Sequence, residues 1–192
     1  MLVFCVRKIV QKKPAVVFKA GGTFHAKNYL YILYLYHVKQ RLYIDTSVFG
    51  GYFDDEFADF TKPLFGKISN GDFKLLFSTV TQDELENAPL PVQDLVKQLK
   101  TEYTEFIEET EEAVDLALAY IAEKVVGQTS YADCLHIALA TIHRADFLIS
   151  WNFKHIVNVQ RIMGYNSVNI KNGYRQLEIR SPRELITYED DN

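Results

Sequence analysis

The sequence predicts an α/β fold in which short buried strands alternate with amphipathic helices. Compact apolar runs recur along the chain, and Gly, Pro or Asn residues punctuate several of the steps between them. Longer segments with apolar residues at helical spacing separate these runs. Such alternation is typical of parallel β-α-β units joined by right-handed crossovers. We therefore expect a central, mainly parallel sheet.

The stretch RLYIDTSVFGGYFDDE contains the first strand, predicted over residues 42–44, and Asp45 directly after it. Ligands of open α/β sheets bind beyond the carboxyl ends of the strands, so Asp45 is a candidate site residue. The alternative is structural, because Asp, Thr and Ser after a strand also close turns or cap helices. Gly50 and Gly51 predict a flexible start to the segment that leads into the next helix, and the acids that follow them indicate a solvated loop.

The same patterns define the later elements. A serine, a proline and a glutamate at positions 181, 182 and 184 are typical of a capped helix start. The predicted helices cover residues 57–68, 92–100, 110–125 and 130–144, and another follows a loop that begins at Trp151. The predicted strands cover residues 73–78, 103–107, 146–150, 167–170 and 177–179.

Charge divides the chain unevenly. Residues 1–44 hold eight basic and no acidic side chains, whereas the remaining residues hold 13 basic and 25 acidic ones, a formal charge of −12. We predict that residues 1–40 are a basic N-terminal extension outside the core fold and that residues 41–192 form one domain. The aromatic run YLYILYLYHV in the extension is shorter than the roughly 20 residues of a membrane span. Cys5 and Cys134 are far apart, which fits a reducing cytoplasm.

Three carboxylates fall near element ends that parallel topology can bring to one sheet edge. Asp45 follows the first strand, Glu84 is expected in the first turn of a helix after residues 73–78, and Asp133 in the first turn of the helix over residues 130–144. Clustered carboxylates repel one another and stay ionised with a cation among them. Hard oxygen ligands favour Mg²⁺ or Mn²⁺. The alternative is that Glu84 and Asp133 belong to capping boxes begun by Thr81 and Ser130.

Four segments, taken together and in order, resemble the PIN-domain family of metal-dependent ribonucleases, which includes the VapC-like toxins of type II toxin–antitoxin systems. The resemblance covers residues 41–186. It implies a three-layer α/β/α fold and hydrolysis of RNA phosphodiester bonds by a water that a divalent cation activates. It also implies a possible antitoxin partner and homodimer. The four segments are YIDTSV, VTQDELENA, ADCLHIALA and DFLISWNFKHI.

By this resemblance Asp45, Glu84 and Asp133 fall on the acidic metal-site positions of the family. Asp45 and Asp133 would ligate the metal directly, and Glu84 would act through water. Two acids commonly follow the strand after the central helix, but here Asn152 and His155 occupy those places. An amide oxygen can ligate a cation or orient a water without adding charge. This departure makes the second metal and the turnover rate the open questions.

Other residues are weaker candidates. The chain between positions 144 and 183 is locally basic, and Lys154 and Arg161, which follow Asn152, are candidate RNA phosphate contacts. Ser47 and Ser150 could add hydroxyl contacts. His136, one turn after Asp133, could reach the site, although a histidine on an amphipathic helix is more often a surface or packing residue.

Two other functions are compatible with the sequence. A catalytically weak RNA-binding protein would keep the fold and the groove, as Asn152 allows. A phosphotransfer enzyme or phosphatase on a similar sheet would need a second acid close behind its nucleophilic aspartate. The Asp45-Thr46-Ser47 stretch lacks that acid, so we rank this function third.

Overall fold

The computed structural model describes residues 39–190, and a five-stranded sheet with every strand pair parallel lies at its centre. The strand order is β3-β2-β1-β4-β5, which confirms the predicted parallel sheet. The chain builds β2 and β3 on one side of β1 and then β4 and β5 on the other. The strands are β1 (Arg41–Ile44), β2 (Lys74–Ser78), β3 (Thr104–Ile107), β4 (Phe147–Ile149) and β5 (Glu178–Arg180).

Eight α-helices occur within the described residues, and short 3₁₀ turns precede β3 and the central helix. The chain orders them so that a helix follows each strand. They are α1 (Thr46–Gly51), α2 (Ala58–Ser69), α3 (Thr79–Glu86), α4 (Leu90–Lys97), α5 (Glu111–Ala122), α6 (Tyr131–Ile142), α7 (Val159–Lys171) and α8 (Pro182–Asp190).

Side chains of the strands alternate between two separate hydrophobic cores, one on each face of the sheet. In β1, Leu42 and Ile44 enter the core that α1, α2 and α4 cover, whereas Tyr43 enters the core covered by α5, α6 and α7. Because successive side chains of a strand point to opposite faces, both faces are buried. This arrangement confirms the three-layer α/β/α fold.

We call the core covered by α5, α6 and α7 the second core, and α6 contributes its longest run of buried helical residues. Its residues from position 134 to position 141 are all buried, and Cys134 is part of that core. Burial fixes the rotation of the helix about its axis. The first turn of α6, which carries Asp133, is thereby held in a defined position.

Residues 167–170, predicted as a strand, instead lie inside α7. Val168 and Asn169 are buried, while Ser167 and Ile170 are exposed, which is a helical pattern. Asn158 caps the helix by accepting a hydrogen bond from the Arg161 N–H. The buried Asn169 accepts a hydrogen bond from the Tyr120 hydroxyl of α5. This tertiary pairing overrides the strand propensity of the valine and isoleucine.

The segment after Asp45 also differs from the prediction. Gly50 and Gly51 end helix α1 instead of beginning a flexible segment. Gly51 is buried, and a Cβ atom there would lie 2.7 Å from the Trp151 ring. The acids at positions 54, 55 and 56 are exposed and lie between α1 and α2, as expected of a solvated loop.

The predicted extension over residues 1–40 falls almost wholly outside the described residues, so its separation from the core fold stays a prediction. Residues 39 and 40 are described, and the Gln40 carbonyl accepts a hydrogen bond from the Lys74 N–H at 2.9 Å. Within the described part of the chain, no helix is long and apolar enough to cross a membrane.

Two helical glycines test the packing between α7 and the second core. A Cβ atom at Gly164 would lie 2.7 Å from Val125 Cγ1, whereas a Cβ atom at Gly66 would meet nothing within 4 Å. We expect Gly164→Ala to lower the free energy of unfolding by about 1–3 kcal/mol because the branched valine must move. The control Gly66→Ala should raise it by about 0.5–1 kcal/mol. Urea denaturation measures both, and equal effects would contradict the close packing.

Candidate functional site

Asp45 is buried at the point where the strand order reverses, between β1 and β4. Its N–H donates to the Ile149 carbonyl at 3.0 Å, which continues the pairing of the two strands. The hydroxyls of Ser47 and Ser150 both donate to Asp45 Oδ2 at 2.6 Å. Within the described residues, Oδ1 accepts no hydrogen bond. Asp45 is therefore held at a topological switch point, where open α/β sheets bind ligands.

A histidine of α6, His136, lies between the carboxylates of Glu84 and Asp45. His136 Nε2 lies 3.1 Å from Glu84 Oε2 and 3.9 Å from Asp45 Oδ1. Because carboxylates only accept hydrogen bonds, Nε2 carries a proton. The Thr46 hydroxyl donates to the same Glu84 oxygen. Glu84 is thus fixed from both sides, and His136 separates two of the three carboxylates.

The far side of the His136 ring is held by a buried hydroxyl network. Tyr43 Oη lies 2.7 Å from His136 Nδ1 and 2.8 Å from Ser78 Oγ, and Ser78 Oγ lies 2.9 Å from Thr81 Oγ1. A tyrosine hydroxyl can donate or accept, so it can accompany either protonation state of the ring. The network ties the site to the end of β2.

The pKa values of Glu84 and His136 shift in the directions expected of an ion pair. The hydrogen bond from His136 lowers the pKa of Glu84 and outweighs the opposing effect of burial; Thr46 adds to the decrease. Burial of the ring lowers the pKa of His136, but the Glu84 hydrogen bond and the charges of Asp45, Glu84 and Asp133 together raise it above its ordinary value. Both shifts favour the charged forms of the two side chains, with the positive charge on His136 beside the acids.

Asp133 joins the site through Asn152. The Asn152 side-chain N–H donates to Asp133 Oδ1 at 2.8 Å, and the Asn152 backbone N–H donates to Ser150 Oγ, also at 2.8 Å. Burial raises the pKa of Asp133; His155 opposes this, and the nearby charge of Asp45 adds to the increase. The predicted residues Asp45, Glu84, Asp133 and Asn152 therefore belong to one connected polar cluster.

Neither of the two alternative capping boxes forms. Ser78, not Thr81, caps α3 by accepting the Thr81 N–H at 3.1 Å, so α3 begins earlier than expected and Glu84 lies in its second turn. Ser130 makes no side-chain cap for α6. The comparison at Ser181 and Glu184 is informative, because there a capping box does form: the Ser181 N–H donates to Glu184 Oε2 at 2.8 Å.

His155 stands where the family has a further acid, and its ring contacts the guanidinium group of Arg161. Arg161 Nη1 lies 2.7 Å from His155 Nδ1, and Ser130 Oγ lies 3.1 Å from the same nitrogen. The His155 N–H donates to Asn152 Oδ1 at 2.9 Å, so both polar atoms of the Asn152 amide are engaged. Of the two predicted phosphate contacts, Arg161 is half-buried and tethered, whereas Lys154 is exposed.

The donor set fits a hard divalent cation in part. Asp45 Oδ1 and Asp133 Oδ2 accept no hydrogen bond from the described residues, and carboxylate oxygens are the ligands that Mg²⁺ and Mn²⁺ prefer. No three His, Cys, Asp or Glu side chains converge into a ready metal cage within residues 39–190. Glu84 is occupied by His136 and Thr46. Asp45 and Asp133 could hold a metal directly, and Glu84 could do so through water.

Sequence reasoning undervalued His136. Its position one turn after Asp133 on a mostly apolar helix made packing the more common expectation. The structure buries the ring but places it between Glu84 and Asp45. The available signal was its spacing of three residues from Asp133, which puts both side chains on one helix face.

Comparisons with known proteins identify the family of this chain. A family model for the PIN domain matches residues 42–154, so this chain belongs to the PIN domain family, whose members are generally nucleases. Among solved structures, VapBC2 from Rickettsia felis bound to a DNA fragment from its promoter is similar, with 12% identity and a TM-score of 0.46. That match covers 74% of this chain and 98% of the other. No curated protein sequence matches.

The pair of Glu84 and His136 predicts a pH dependence of stability in the presence of a chelator. Because the pKa of His136 is raised in the folded state, its contribution is complete below the unfolded value of about 6.5 and is lost as pH rises through the folded value. We expect Glu84→Gln to lower the pKa of His136, measured from imidazole C–H resonances. Urea denaturation should then show a smaller loss of stability with rising pH.

A matched control removes the same charge elsewhere on α3. Glu86 is exposed on this helix. Glu86→Gln should leave the His136 resonances and the pH profile as in the parent protein. If the two variants gave the same titration curve for His136, the described pairing would be wrong.

Proposed function

We propose that this chain is a Mg²⁺- or Mn²⁺-dependent endoribonuclease that hydrolyses RNA phosphodiester bonds. The observation that carries the proposal is the single polar cluster at the switch point of a PIN-family sheet. Ser150 links Asp45 to Asn152, Asn152 links to Asp133, and His136 links Asp45 to Glu84. Acids in such an arrangement repel an RNA phosphate until a cation is bound among them.

Each site residue has a specific proposed role. Asp45 and Asp133 would hold the cation through their oxygens that lack hydrogen bonds from the described residues. When bound, the cation would stabilise the negative charge that develops on the phosphate and would lower the pKa of a water molecule. Ser47 and Ser150 keep Asp45 oriented by donating to Oδ2. Glu84, with its carboxylate fixed by Thr46 and His136, would orient the attacking water.

A second candidate function is RNA binding with weak catalysis, and the state of Asn152 favours it. Its amide oxygen accepts the His155 N–H and its amide nitrogen donates to Asp133. An amide committed in this way neither adds charge nor offers a free ligand atom. The finer parts of the main proposal, which are a toxin role, an antitoxin partner, a homodimer and a cytoplasmic location, rest on family membership and composition.

Cleavage of a structured RNA by the purified protein tests the main proposal. We expect cleavage with Mn²⁺ and none with a chelator, and Asp133→Asn should lower the rate by at least 100-fold, because one metal ligand loses its charge. The Asp133→Asn variant keeps an oxygen that can accept the Asn152 N–H, so its fold should be intact by circular dichroism. RNA binding without any metal-dependent cleavage would instead support the second candidate function.

Asn152→Asp tests the departure from the family pattern separately. A carboxylate at this position restores negative charge beside Asp133, so we expect tighter Mn²⁺ binding by calorimetry, by about tenfold, and faster cleavage. Without metal the variant should be less stable than the parent, because Asp133 loses a hydrogen-bond donor and gains a like charge. Unchanged Mn²⁺ affinity would show that Asn152 does not adjoin the cation.

A further inference from the structure

A cluster of hydrogen-bond donors lies on the other side of Asn152 from the candidate metal-binding acids. We call Arg161 and His155 the cationic pair. A continuous series of hydrogen bonds joins it to the acids: Asp133 accepts from the Asn152 side chain, Asn152 Oδ1 accepts from the His155 N–H, and His155 Nδ1 accepts from Arg161. The pair is therefore part of the site edge and is not an isolated surface charge.

The His155 ring has a defined proton position in this arrangement. A guanidinium only donates hydrogen bonds, so the nitrogen 2.7 Å from Arg161 Nη1, His155 Nδ1, is an acceptor. The ring proton of the imidazole therefore sits on Nε2, where it can donate to an oxygen. The His155 backbone is held at both ends, because its carbonyl accepts the hydroxyl of the buried Tyr165 at 2.9 Å. The donor is thus pre-positioned.

Arg161 keeps its positive charge available. Arg41, Arg175 and Arg180 each lie within 4 Å of a carboxylate oxygen, at Glu105, Asp146 and Glu178 respectively. Within the described residues no carboxylate lies within ion-pair distance of Arg161, and its side chain contacts the unprotonated nitrogen of the His155 ring. Among the same residues, four of its five guanidinium N–H donors have no acceptor, so they could donate to a ligand. Planar guanidinium groups are well suited to phosphate oxygens.

We propose that the cationic pair binds a phosphate of single-stranded RNA beside the acids, and supplies there the positive charge that a second metal ion would bring. This inference rests on the proposed ribonuclease function. The residues Asn152 and His155 are consistent with it, because they stand where the family has acids and leave Asp133 as the carboxylate among the described contacts of this part of the site. The chain would accordingly work with one cation.

Arg161 and Lys154 differ in their surroundings, so Lys154 is a matched control for Arg161. Both residues carry one positive charge and lie close in sequence, but Lys154 is exposed, whereas Arg161 is half-buried and lies against the His155 ring. Arg161 should therefore act at a fixed phosphate, whereas Lys154 should contribute only diffuse attraction. The two substitutions remove equal charge, so their difference isolates the positioned contact.

Binding of a fluorescein-labelled single-stranded RNA to the Asp133→Asn protein, followed by anisotropy in a chelator over a salt series, tests the pair without cleavage. We expect Arg161→Gln to weaken binding about tenfold and to lower the salt slope by about 0.7, as for one lost phosphate contact. Lys154→Gln should weaken it less than threefold. Arg161→Lys should recover the slope but only part of the affinity, because lysine lacks the planar fork.

His155 has its own signature. His155→Asn keeps an acceptor for Arg161 and removes the Nε2–H donor, so affinity should fall while the salt slope stays unchanged. In the Asp133→Asn protein, inorganic phosphate should shift the His155 imidazole nitrogen resonances, and Arg161→Gln should abolish that shift. Circular dichroism and thermal unfolding establish that each variant is folded.

The outcomes separate this inference from the ribonuclease proposal. If the parent protein never cleaves RNA but Arg161→Gln selectively loses RNA and phosphate binding, the pair stands and the ribonuclease proposal fails. If the parent cleaves RNA with Mn²⁺ while Arg161→Gln and Lys154→Gln weaken binding equally, the pair is overturned and the ribonuclease proposal stands. Absence of any RNA binding by the Asp133→Asn protein also overturns the pair.

Discussion

Repulsion among three carboxylates at one edge of a parallel sheet is the constraint on which the site depends. Asp45 is buried and Asp133 is partly buried, so neither charge is fully stabilised by water. In a medium of low dielectric constant, like charges at short range raise the free energy of the folded state by several kcal/mol unless positive groups or donors offset them. Each hydrogen bond around the acids can be understood as a part of that compensation.

Compensation is distributed unequally over the three acids. Glu84 receives it from His136, whose pKa is raised despite burial of the ring. Asp45 receives two hydroxyl donors from Ser47 and Ser150, which offer dipoles and no net charge. Asp133 receives one amide donor, and burial raises its pKa. The positive charge that the protein provides is thus concentrated at Glu84, and the remaining negative charge lies between Asp45 and Asp133.

The sequence predicted the strands and helices correctly where the local residue pattern and the tertiary packing favour the same element. The apolar runs near β1, β2, β3 and β4 are strands because both faces of a parallel sheet are buried, and they contain few polar side chains. The strand predicted over residues 167–170 was wrong because a buried amide, Asn169, pairs with Tyr120 across 49 residues. No local pattern contains that contact. Helix α1 was missed for a similar reason, since Gly51 is packed against Trp151 from a distant loop.

The sequence predicted that the three acids would lie close together, but it did not predict the side chains that contact them. Strand ends located Asp45, and the order of four segments indicated Glu84 and Asp133. The role of Thr81 was misassigned because a hydroxyl three residues before a glutamate matches a capping box, although Ser78 takes that position in the folded chain. The contact of His136 with Glu84 joins α6 to α3 across 52 positions, and the contact of His155 with Arg161 joins the loop before α7 to that helix across six positions. Local sequence patterns contain neither contact.

This distribution of charge determines where a cation gains most. At Glu84 a cation would compete with the His136 ring, which already lies at hydrogen-bond distance from the carboxylate, and the raised pKa of His136 favours a positive charge that would repel the cation. Between Asp45 and Asp133 the cation would contact two carboxylate oxygens that accept no hydrogen bond from the described residues. The pKa of Asp133 is already raised by burial and by the like charge of Asp45. Because the largest uncompensated charge gives the largest gain on binding, a cation of the proposed kind would gain most on the Asp133 side, next to the amide of Asn152 and the hydrogen bonds that lead to Arg161.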